Sequence, residues 1–378
     1  MDIWFDRYYE KTLLKNLKKG KIVIIYGPRR VGKTSLISQL LSDFKGKYYS
    51  GAGEDLPLKE LFRSQNIQRM KSTFSGYDLI VIDEAQKIPN IGTGLKIMVD
   101  HIPEIKIIAS GSSSFKLSYQ IGEPLTGRHR SLLLYPLSMM ELNNQFGRMN
   151  LISMFENYLI YGTYPEVLTV NNIDEKKEYL ITLRDSYLFK DILELENIRN
   201  SDKLADLLKM LAFQIGKEVS LNELSNGLGI SKQTVERYLD LLEKNFIIKK
   251  VRGFSRNLRK EITKTSRYYF FDNGIRNALI TNFNSIPNRN DVGMLWENFL
   301  FTERMKKLHY NRVFSNIYFW RTHDRKEIDL VEERDGKLFG FEFKWSKKKT
   351  KLPKLWFETY KNSSLEIITK ENFLDFIC

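Results

Sequence analysis

Three short apolar runs in the first 110 residues predict strands that are buried on both faces. They are KIVIIY (21–26), DLIVID (78–83) and IKIIAS (105–110). A strand covered on both faces carries apolar residues on both sides instead of alternating with polar ones. A stretch with leucine and isoleucine at helical spacing follows the first run, at positions 36, 37, 40 and 41. Strands that alternate with helices indicate a parallel α/β sheet.

The pattern changes after residue 150. Residues 151–195 are predicted to be mostly helical, with an interruption at the loop YGTYPEV (161–167). Residues 204–276 predict two short helices around a glycine turn, followed by a basic stretch rich in aromatic residues. After a polar linker at 282–291, a long helical segment precedes strand-like runs that extend to residue 343.

Composition is that of a folded protein without a membrane segment. Of the 378 residues, 42% are hydrophobic and 28% are charged, and the length exceeds the roughly 250–300 residues that one core supports. No apolar run approaches the ~18–20 residues of a membrane span, and the charged N-terminus lacks a signal-peptide core. Cys378 is the only cysteine, which excludes an internal disulfide and a cysteine-rich zinc site. We therefore expect a cytoplasmic protein.

The formal net charge is +14. Excess basic charge favours polyanionic partners such as nucleic acid, an acidic membrane surface or acidic proteins. A generally basic proteome is the alternative explanation, so the position of the charge matters more than its total.

The segment GPRRVGKTS (27–35) matches the phosphate-binding pattern G-x-x-x-x-G-K-[ST]. In this pattern backbone N–H groups surround the β-phosphate, the lysine reaches the β- and γ-phosphates, and the hydroxyl binds magnesium. The buried strand before it and the apolar-faced helix after it are the context that the pattern requires. We expect nine residues to hold ATP or ADP: Gly27, Pro28, Arg29, Arg30, Val31, Gly32, Lys33, Thr34 and Ser35.

An acidic pair closes the second apolar run. Asp83 ends the predicted strand, where it would hold the magnesium ion together with Thr34. Glu84 would polarise the attacking water. The alternative is a strand that ends in a solvated acidic turn.

Two further residues are candidates for the hydrolytic step. The third run ends in a cluster of hydroxyls at 110–114, and Ser112 is our candidate for sensing the γ-phosphate and the attacking water. A serine-rich turn is the alternative. In LTGRHR (125–130), Arg128 or its neighbour Arg130 would act as an arginine finger on a neighbouring subunit's nucleotide, which requires a homo-oligomer. A surface salt bridge is the alternative.

Several segments have the form of a known family: GPRRVGKTSL, DLIVIDEAQK, GSSS, TGR, YPLSMMEL, YGTYPEVL, YLFKDILEL, RYYFFDNGIRNAL and LWENFLF. They resemble the AAA+-type ATPases of archaea and bacteria that are related to the signal-transducing STAND group and carry a C-terminal domain of unknown function. The resemblance covers nearly the whole chain. It implies ATP binding with hydrolysis and says little about the biological task.

Residues 221–251 have the pattern of a helix-turn-helix followed by a strand. Gly229 lies at the turn and Ser231 is a plausible N-cap of the second helix. From Lys244 to Arg276, ten Lys and Arg residues outnumber two acids, a net charge of +8.

In a DNA-binding winged helix the second helix enters the major groove and a basic wing contacts phosphates. The contacts would be Lys232, Gln233, Thr234, Arg237, Lys249, Lys250 and Arg252. The alternative is a winged helix that serves as a protein-interaction or regulatory element.

A third pattern lies near the C-terminus. Asp329 stands thirteen positions before Glu342, and Glu342 and Lys344 share one face of a strand as an E-x-K pair. Glu297 on the preceding helix could complete the set. The pattern resembles the PD-(D/E)xK nuclease core, in which the acids hold magnesium and the lysine orients water. We expect a basic groove beside it, from Lys347, Lys348, Lys349 and Lys351.

Two alternatives to an active nuclease remain open at this point. One is an exposed charge pattern on a strand, and the other is a degenerate nuclease fold that only binds nucleic acid or a partner.

The chain is therefore predicted to be α/β, with four domains. They are a P-loop NTPase domain with a parallel sheet at 1–147, a helical lid at 148–200, a winged helix at 201–285 and a restriction-endonuclease-like α/β domain at 286–378. We expect a magnesium-dependent ATPase that acts on or near DNA, with its nucleotide state coupled to the C-terminal modules. The alternative is a STAND-like switch that acts through protein contacts.

Overall fold

The structure, a computed structural model, describes residues 4–112, 125, 127–186, 201–255, 266–322, 326–346 and 353–378. These residues form two compact units. The first unit comprises residues 4–136 and Lys244–Phe246, and the second comprises Leu137–Glu243 and Ile247–Cys378. The predicted boundaries at residues 200 and 285 fall within the range of the second unit, and the division into four domains stays a prediction.

The first unit contains a five-stranded parallel sheet. Its strands are β1 (Ile22–Tyr26), β2 (Tyr48–Ala52), β3 (Leu79–Asp83), β4 (Lys106–Gly111) and β5 (His129–Leu133), in the order β2-β3-β4-β1-β5. The described helices are α1 (Glu10–Asn16), α2 (Lys33–Asp43), α3 (Leu56–Ser64), α4 (Ile67–Phe74) and α5 (Ile91–His101), with a 3₁₀ turn at Ala85–Lys87. The three apolar runs form β1, β3 and β4, so the predicted parallel α/β sheet is confirmed.

The order of these strands determines where a site forms. The pairings of β1 with β4, and of β4 with β3, are parallel, so the carboxyl ends of the three strands meet at one edge. The segment after β1, the end of β3 and the segment after β4 carry the three predicted parts of the nucleotide site. Ligands of parallel α/β sheets bind at this edge.

The second unit contains described helices from residue 139 to the C-terminus. They are α6 (Met139–Phe146), α7 (Arg148–Ser153), α8 (Phe155–Tyr161), α9 (Pro165–Thr169), α10 (Ile173–Leu183), α11 (Ser201–Phe213), α12 (Leu221–Leu228), α13 (Lys232–Lys244), α14 (Asn273–Leu279), α15 (Val292–Tyr310), α16 (Lys354–Thr359) and α17 (Phe373–Ile377), with a 3₁₀ turn at Ile286–Asn288. In the part of the chain that the structure describes, no helix is long and apolar enough to cross a bilayer.

One sheet runs through the second unit. Its strands are β6 (Glu218–Val219), β7 (Ile248–Gly253), β8 (Ser266–Phe270), β9 (Asn316–Arg321), β10 (Glu327–Arg334), β11 (Lys337–Phe343) and β12 (Ser363–Ile368), in the order β12-β11-β10-β9-β7-β8-β6. Strand β7 pairs in parallel with β9, with Arg252 opposite Tyr318 and Gly253 opposite Phe319. Strands from both sides of the predicted boundary at residue 285 therefore belong to the same sheet.

The loop predicted at 161–167 is shorter in the structure, since only residues 162–164 lie between α8 and α9. This turn packs tightly against the start of α14. The backbone N–H of Thr163 donates to Asp272 Oδ2 at 2.7 Å, and Asp272 Oδ1 accepts from the N–H of Ile275 at 3.1 Å. Gly162 has a φ of 73°, and a Cβ there would lie 2.0 Å from Asp272 Oδ1. The glycine in this loop is therefore required both by its backbone conformation and by the buried carboxylate beside it.

Candidate functional site

The phosphate loop between β1 and α2 needs glycine at two positions. Gly27 has a φ of 147°, and a Cβ there would lie 2.1 Å from the carbonyl oxygen of Leu134. The neighbouring backbone is held by the N–H of Leu134, which donates to the carbonyl of Tyr26 at 2.8 Å. Gly32 takes a φ of 91° just before α2. Both glycines of the sequence pattern therefore adopt conformations that residues with a Cβ rarely adopt.

Lys33 lies buried inside this loop. Its ammonium donates to the carbonyl oxygens of Gly27 at 3.0 Å and Pro28 at 2.7 Å. Burial lowers the pKa of Lys33 to about 8, against the opposing charges of Glu84 and Asp83. The ammonium is thus already inside the loop, where it can exchange carbonyl partners for phosphate oxygens.

Thr34 and Asp83, the two predicted magnesium ligands, are in direct contact. The Thr34 hydroxyl donates to Asp83 Oδ2 at 2.7 Å. The other carboxylate oxygen, Oδ1, accepts from the hydroxyl of Ser110 and from the backbone N–H of Glu84, the latter at 3.0 Å. A hydroxyl and a carboxylate are hard oxygen ligands of the kind that magnesium prefers, so these residues fit the ion.

Glu84 is connected to Ser112 through Gln86. The Gln86 side-chain amide donates to Glu84 Oε2 and, at 3.2 Å, to the hydroxyl of Ser112. Glu84 itself has a φ of 50°, in the left-handed region that non-glycine residues seldom adopt. Sequence reasoning missed Gln86, although an amide two residues after the predicted catalytic glutamate was visible in the motif DEAQ.

Arg7 supports the loop from the N-terminal segment. Its guanidinium donates to the carbonyls of Val31 at 2.9 Å and Tyr135 at 2.6 Å, and the residue is only 6% exposed. Sequence reasoning also missed this residue, because no motif surrounds it.

Arg128 lies at the amino-terminal ends of the parallel strands, whereas the phosphate loop lies at their carboxyl ends. It precedes β5, whose first residue, His129, pairs with Ile22 at the start of β1. Its Nε donates to Asp100 Oδ1 at 2.7 Å, and both side chains are partly exposed. Arg130 donates to Asn16. A finger role for Arg128 would therefore act on a neighbouring molecule, and it stays a prediction.

The two helices predicted at 221–244 are present as α12 and α13. Gly229 ends α12 with a φ of 63°, and the Ser231 hydroxyl accepts from the N–H of Thr234 at 3.1 Å, as an N-cap does. Of the predicted DNA contacts on α13, three are exposed and Thr234 is half-buried; the exposed ones are Lys232, Gln233 and Arg237.

The predicted wing contacts are less accessible. Lys249 and Lys250 are half-buried, and Lys249 pairs with Glu243 at 2.7 Å. Arg252 is exposed, although β7 is flanked by β8 and β9. Residues 256–265, with four of the ten basic residues counted above, lie outside the described residues.

The four residues of the predicted nuclease site are drawn together in the second unit. Glu297 comes from α15, Asp329 from β10 and Glu342 from β11, and all three are largely buried. Asp329 Oδ2 accepts from the backbone N–H of Phe343 at 2.8 Å, and Lys344 Nζ lies 2.6 Å from Glu342 Oε1. The predicted lysines at 347–349 and 351 lie outside the described residues.

An arginine that the prediction did not include lies among these acids. Arg267 donates from Nη2 to Glu327 at 2.8 Å and from Nη1 to Glu297 at 3.4 Å, and Nη1 is 3.6 Å from Asp329 Oδ1. The hydroxyl of Tyr269 also donates to Glu297, at 2.7 Å. We call Glu297, Glu327, Asp329 and Glu342 the carboxylate cluster. Sequence reasoning had counted Arg267 only as part of a basic stretch.

Burial and mutual repulsion raise the pKa of the buried acids in this cluster. Burial, followed by the charge of Asp329, raises the pKa of Glu297 to about 8 and that of Glu342 to about 7. Burial also raises the pKa of Asp329. Among the described residues, no three His, Cys, Asp or Glu side chains are arranged so that they could hold a metal ion. The acids are close, but they are not arranged as a metal site.

Three family models match separate parts of the chain. Residues 19–143 match the model described as AAA domain. Residues 152–285 and 292–364 match two models described as domains of unknown function, DUF8612 and DUF4143. The matched first part, with its parallel sheet and phosphate loop, is an AAA-type P-loop domain.

The curated relatives are themselves uncharacterized. A protein of Mycobacterium tuberculosis is 26% identical over 88% of this chain and 72% of its own length. One of Haemophilus influenzae is 25% identical over 87% and 84%, and one of Methanocaldococcus jannaschii is 24% identical over 85% and 78%. These relatives cover most of the chain but carry no statement of function.

Solved structures align with this chain at low TM-scores. A STAND protein with a tetratricopeptide repeat sensor from Pyrococcus horikoshii is 15% identical with a TM-score of 0.31, over 81% of this chain and 46% of that chain. The RuvB Holliday junction branch migration motor of Thermotoga maritima is 17% identical with a TM-score of 0.34, over 69% and 95%. AMPPCP-bound DnaA from Aquifex aeolicus is 14% identical with a TM-score of 0.31, over 63% and 85%. The AAA assignment rests on the family model and on the site.

Proposed function

We propose that this protein is a magnesium-dependent ATPase of the AAA type that acts on or near DNA, with its nucleotide state coupled to the C-terminal modules. The proposed ATPase activity is supported by the contacts among side chains at the carboxyl ends of the strands of the first sheet. Lys33 lies in the phosphate loop, Thr34 contacts Asp83, and Gln86 joins Glu84 to Ser112. These are the parts that phosphoryl transfer to water requires.

Each residue has a distinct task in this proposal. Lys33 would leave its loop carbonyls for the β- and γ-phosphates of ATP. Thr34 and Asp83 would hold a magnesium ion, which supplies charge neutralisation at the phosphates. Glu84 would orient and polarise the attacking water, and the amide of Gln86 together with the hydroxyl of Ser112 would keep that carboxylate in position.

Two substitutions test the hydrolytic assignment. Lys33→Ala should abolish tight ATP binding, because it removes the cation that faces the phosphates. Glu84→Gln should keep ATP affinity and lower kcat by about 100-fold or more, because it removes the general base and leaves Asp83 intact. Calorimetry and steady-state phosphate release measure the two effects. Glu54→Gln, which alters an exposed acid of the same unit, is the matched control.

A Glu84→Gln protein that hydrolyses ATP at the wild-type rate would show that another group activates the water. Glu54→Gln should differ from wild type in neither measurement.

Two observations support DNA as the partner. The net charge is +14, and α13 starts with a capped, exposed turn that presents Lys232, Gln233 and Arg237. Exposed basic side chains at the start of a helix behind a short turn suit phosphate contacts and insertion in a groove.

Charge reversal on α13 tests this part. Lys232→Glu with Arg237→Glu should weaken binding similarly for unrelated duplex sequences, because phosphate contacts carry no base information. The slope of log affinity against log salt should flatten by about 0.9 per lost contact. Lys209→Glu with Lys217→Glu is a control of equal charge on exposed positions outside α13, and it should bind DNA more tightly than the α13 variant.

Steady-state ATPase rates with and without duplex, single-stranded and branched DNA separate this proposal from the alternative. Stimulation that the α13 variant loses supports action on DNA. Equal rates throughout, with equal DNA affinity of both double variants, would instead favour a STAND-like switch that acts through protein contacts.

A further inference from the structure

The carboxylate cluster of the second unit already contains a cation. The guanidinium of Arg267 contacts three of its four members, with distances of 2.8 Å to Glu327, 3.4 Å to Glu297 and 3.6 Å to Asp329. The carboxylates come from α15 and β10, whereas the arginine comes from β8. One positive group thus gathers acids from two other elements, as a bound metal ion commonly does.

The backbone and the surroundings hold Arg267 in this place. In the sheet it pairs with Val251 of β7 on one side and with Glu218 of β6 on the other. Its guanidinium lies over the ring of Phe319, 4.5 Å from the ring centre. The residue is only 3% exposed. The side chain therefore cannot reach solvent without breaking these contacts.

The fourth member of the cluster has its own partner. Lys344 pairs with Glu342 at 2.6 Å, whereas Arg267 is in direct contact with the other three acids. Removing one partner from a buried ion cluster leaves uncompensated charge, which is strongly destabilising. Several carboxylates left without a cation are also hard oxygen ligands for magnesium or manganese.

We propose that Arg267 is the resident cation of the carboxylate cluster, and that the cluster binds a divalent metal ion only when this guanidinium is removed. Arg267 then occupies the place that a catalytic metal would need, and the E-x-K pattern of β11 does not act as a metal-dependent nuclease site in this conformation. This inference does not depend on ATP hydrolysis, because it concerns residues of the second unit alone.

Manganese binding to the nucleotide-free protein tests the proposal. Free Mn²⁺ is counted by electron paramagnetic resonance during titration of full-length wild type and of Arg267→Met. Without nucleotide the phosphate loop lacks the phosphate ligands of its own metal. Arg267→Met should bind one Mn²⁺ at least about tenfold more tightly than wild type, because three acids lose the cation that contacts them. The double variant Arg267→Met with Asp329→Asn should lose that ion.

Two controls separate the cluster from a general loss of positive charge. Arg321→Met removes an arginine of β9 that pairs with Glu218, and it should bind Mn²⁺ no better than wild type. Arg267→Lys keeps a positive charge at the position and should also exclude the ion. Arg267→Lys that binds Mn²⁺ as tightly as Arg267→Met would overturn the proposal, because the charge would then not be what closes the site.

Two further results would overturn it. One is a wild-type protein that binds a Mn²⁺ ion which Asp329→Asn removes. The other is a folded Arg267→Met protein that binds no more Mn²⁺ than wild type. If Arg267→Met is unfolded, millimolar Mn²⁺ should restore its circular dichroism spectrum, since the ion replaces the missing charge. Failure of this rescue, while Arg267→Lys is folded, would show that Arg267 is only a structural ion-pair partner.

Discussion

Lys33 illustrates how burial changes the chemistry of a single side chain. Its ammonium is enclosed by the loop carbonyls of Gly27 and Pro28, and burial lowers its pKa to about 8. Bound phosphates would favour the charged form again and raise the pKa. The protonation of Lys33 and the binding of ATP are therefore linked.

This linkage predicts how ATP affinity depends on pH. The affinity should be constant below pH 8, where free and bound protein both carry the proton. It should fall by up to about tenfold per pH unit as pH rises through 8, because the free protein loses a proton that the complex keeps. Calorimetric titrations from pH 7 to 9.5 measure the effect. Lys33→Arg, which stays charged, should give a flat profile, and a flat wild-type profile would contradict the assignment.

At the scale of elements, a close approach of the backbone to the buried Asp272 joins two segments of the second unit. The end of α8 turns at Gly162 beside the buried Asp272, which caps α14 through the N–H of Ile275. Burial raises the pKa of Asp272, although it accepts several backbone N–H groups. The turn at 162–163, which belongs to the predicted lid, is thereby joined to Asp272, which follows β8.

Gly162→Ala should destabilise the protein more than a matched change at Gly147. Both glycines have φ near 75° with extended ψ, so an alanine at either costs about 1–3 kcal/mol of backbone strain. Only at Gly162 would the Cβ meet a carboxylate oxygen, whereas Gly147 faces open space. We expect a further loss of about 1–3 kcal/mol for Gly162→Ala, measured by urea unfolding. Equal losses would show that the contact with Asp272 relaxes freely.

At the scale of the whole molecule, the first sheet places two predicted catalytic groups at opposite edges. The phosphate loop follows the end of β1, whereas Arg128 precedes the start of β5 and pairs with Asp100. Within one chain the arginine does not reach the nucleotide site, so its proposed role requires a second copy of the protein.

Mixing experiments test this role. Arg128→Ala should bind ATP normally and hydrolyse it at least about tenfold more slowly. Addition of Lys33→Ala protein should restore part of the rate, because a mixed assembly joins an intact loop to an intact arginine. Asp100→Asn breaks the ion pair but keeps the guanidinium, and it should hydrolyse ATP normally. A monomeric protein in ATP, with no restoration, would leave Arg128 as a surface ion-pair partner.

The sequence by itself determined the parts whose chemistry is local. A phosphate loop is a strand, a glycine turn and a helix in succession, so nine adjacent residues specify it. Asp83 and Glu84 follow from the end of one apolar strand, and the turn between α12 and α13 follows from Gly229 and Ser231. In each case the residues that act together are neighbours in the chain or are aligned by strands of one parallel sheet.

Only the tertiary structure decided which distant side chains meet. Gln86 joins Glu84 to Ser112 because β3 and β4 are adjacent. Arg267 enters the carboxylate cluster because β7 pairs with β9, and this pairing places β8 in one sheet with β10. Strand order and register between segments far apart in sequence depend on packing of the whole unit, and a local pattern does not contain them. The E-x-K motif therefore reveals the acids, whereas the cation that lies among them is visible only in the folded chain.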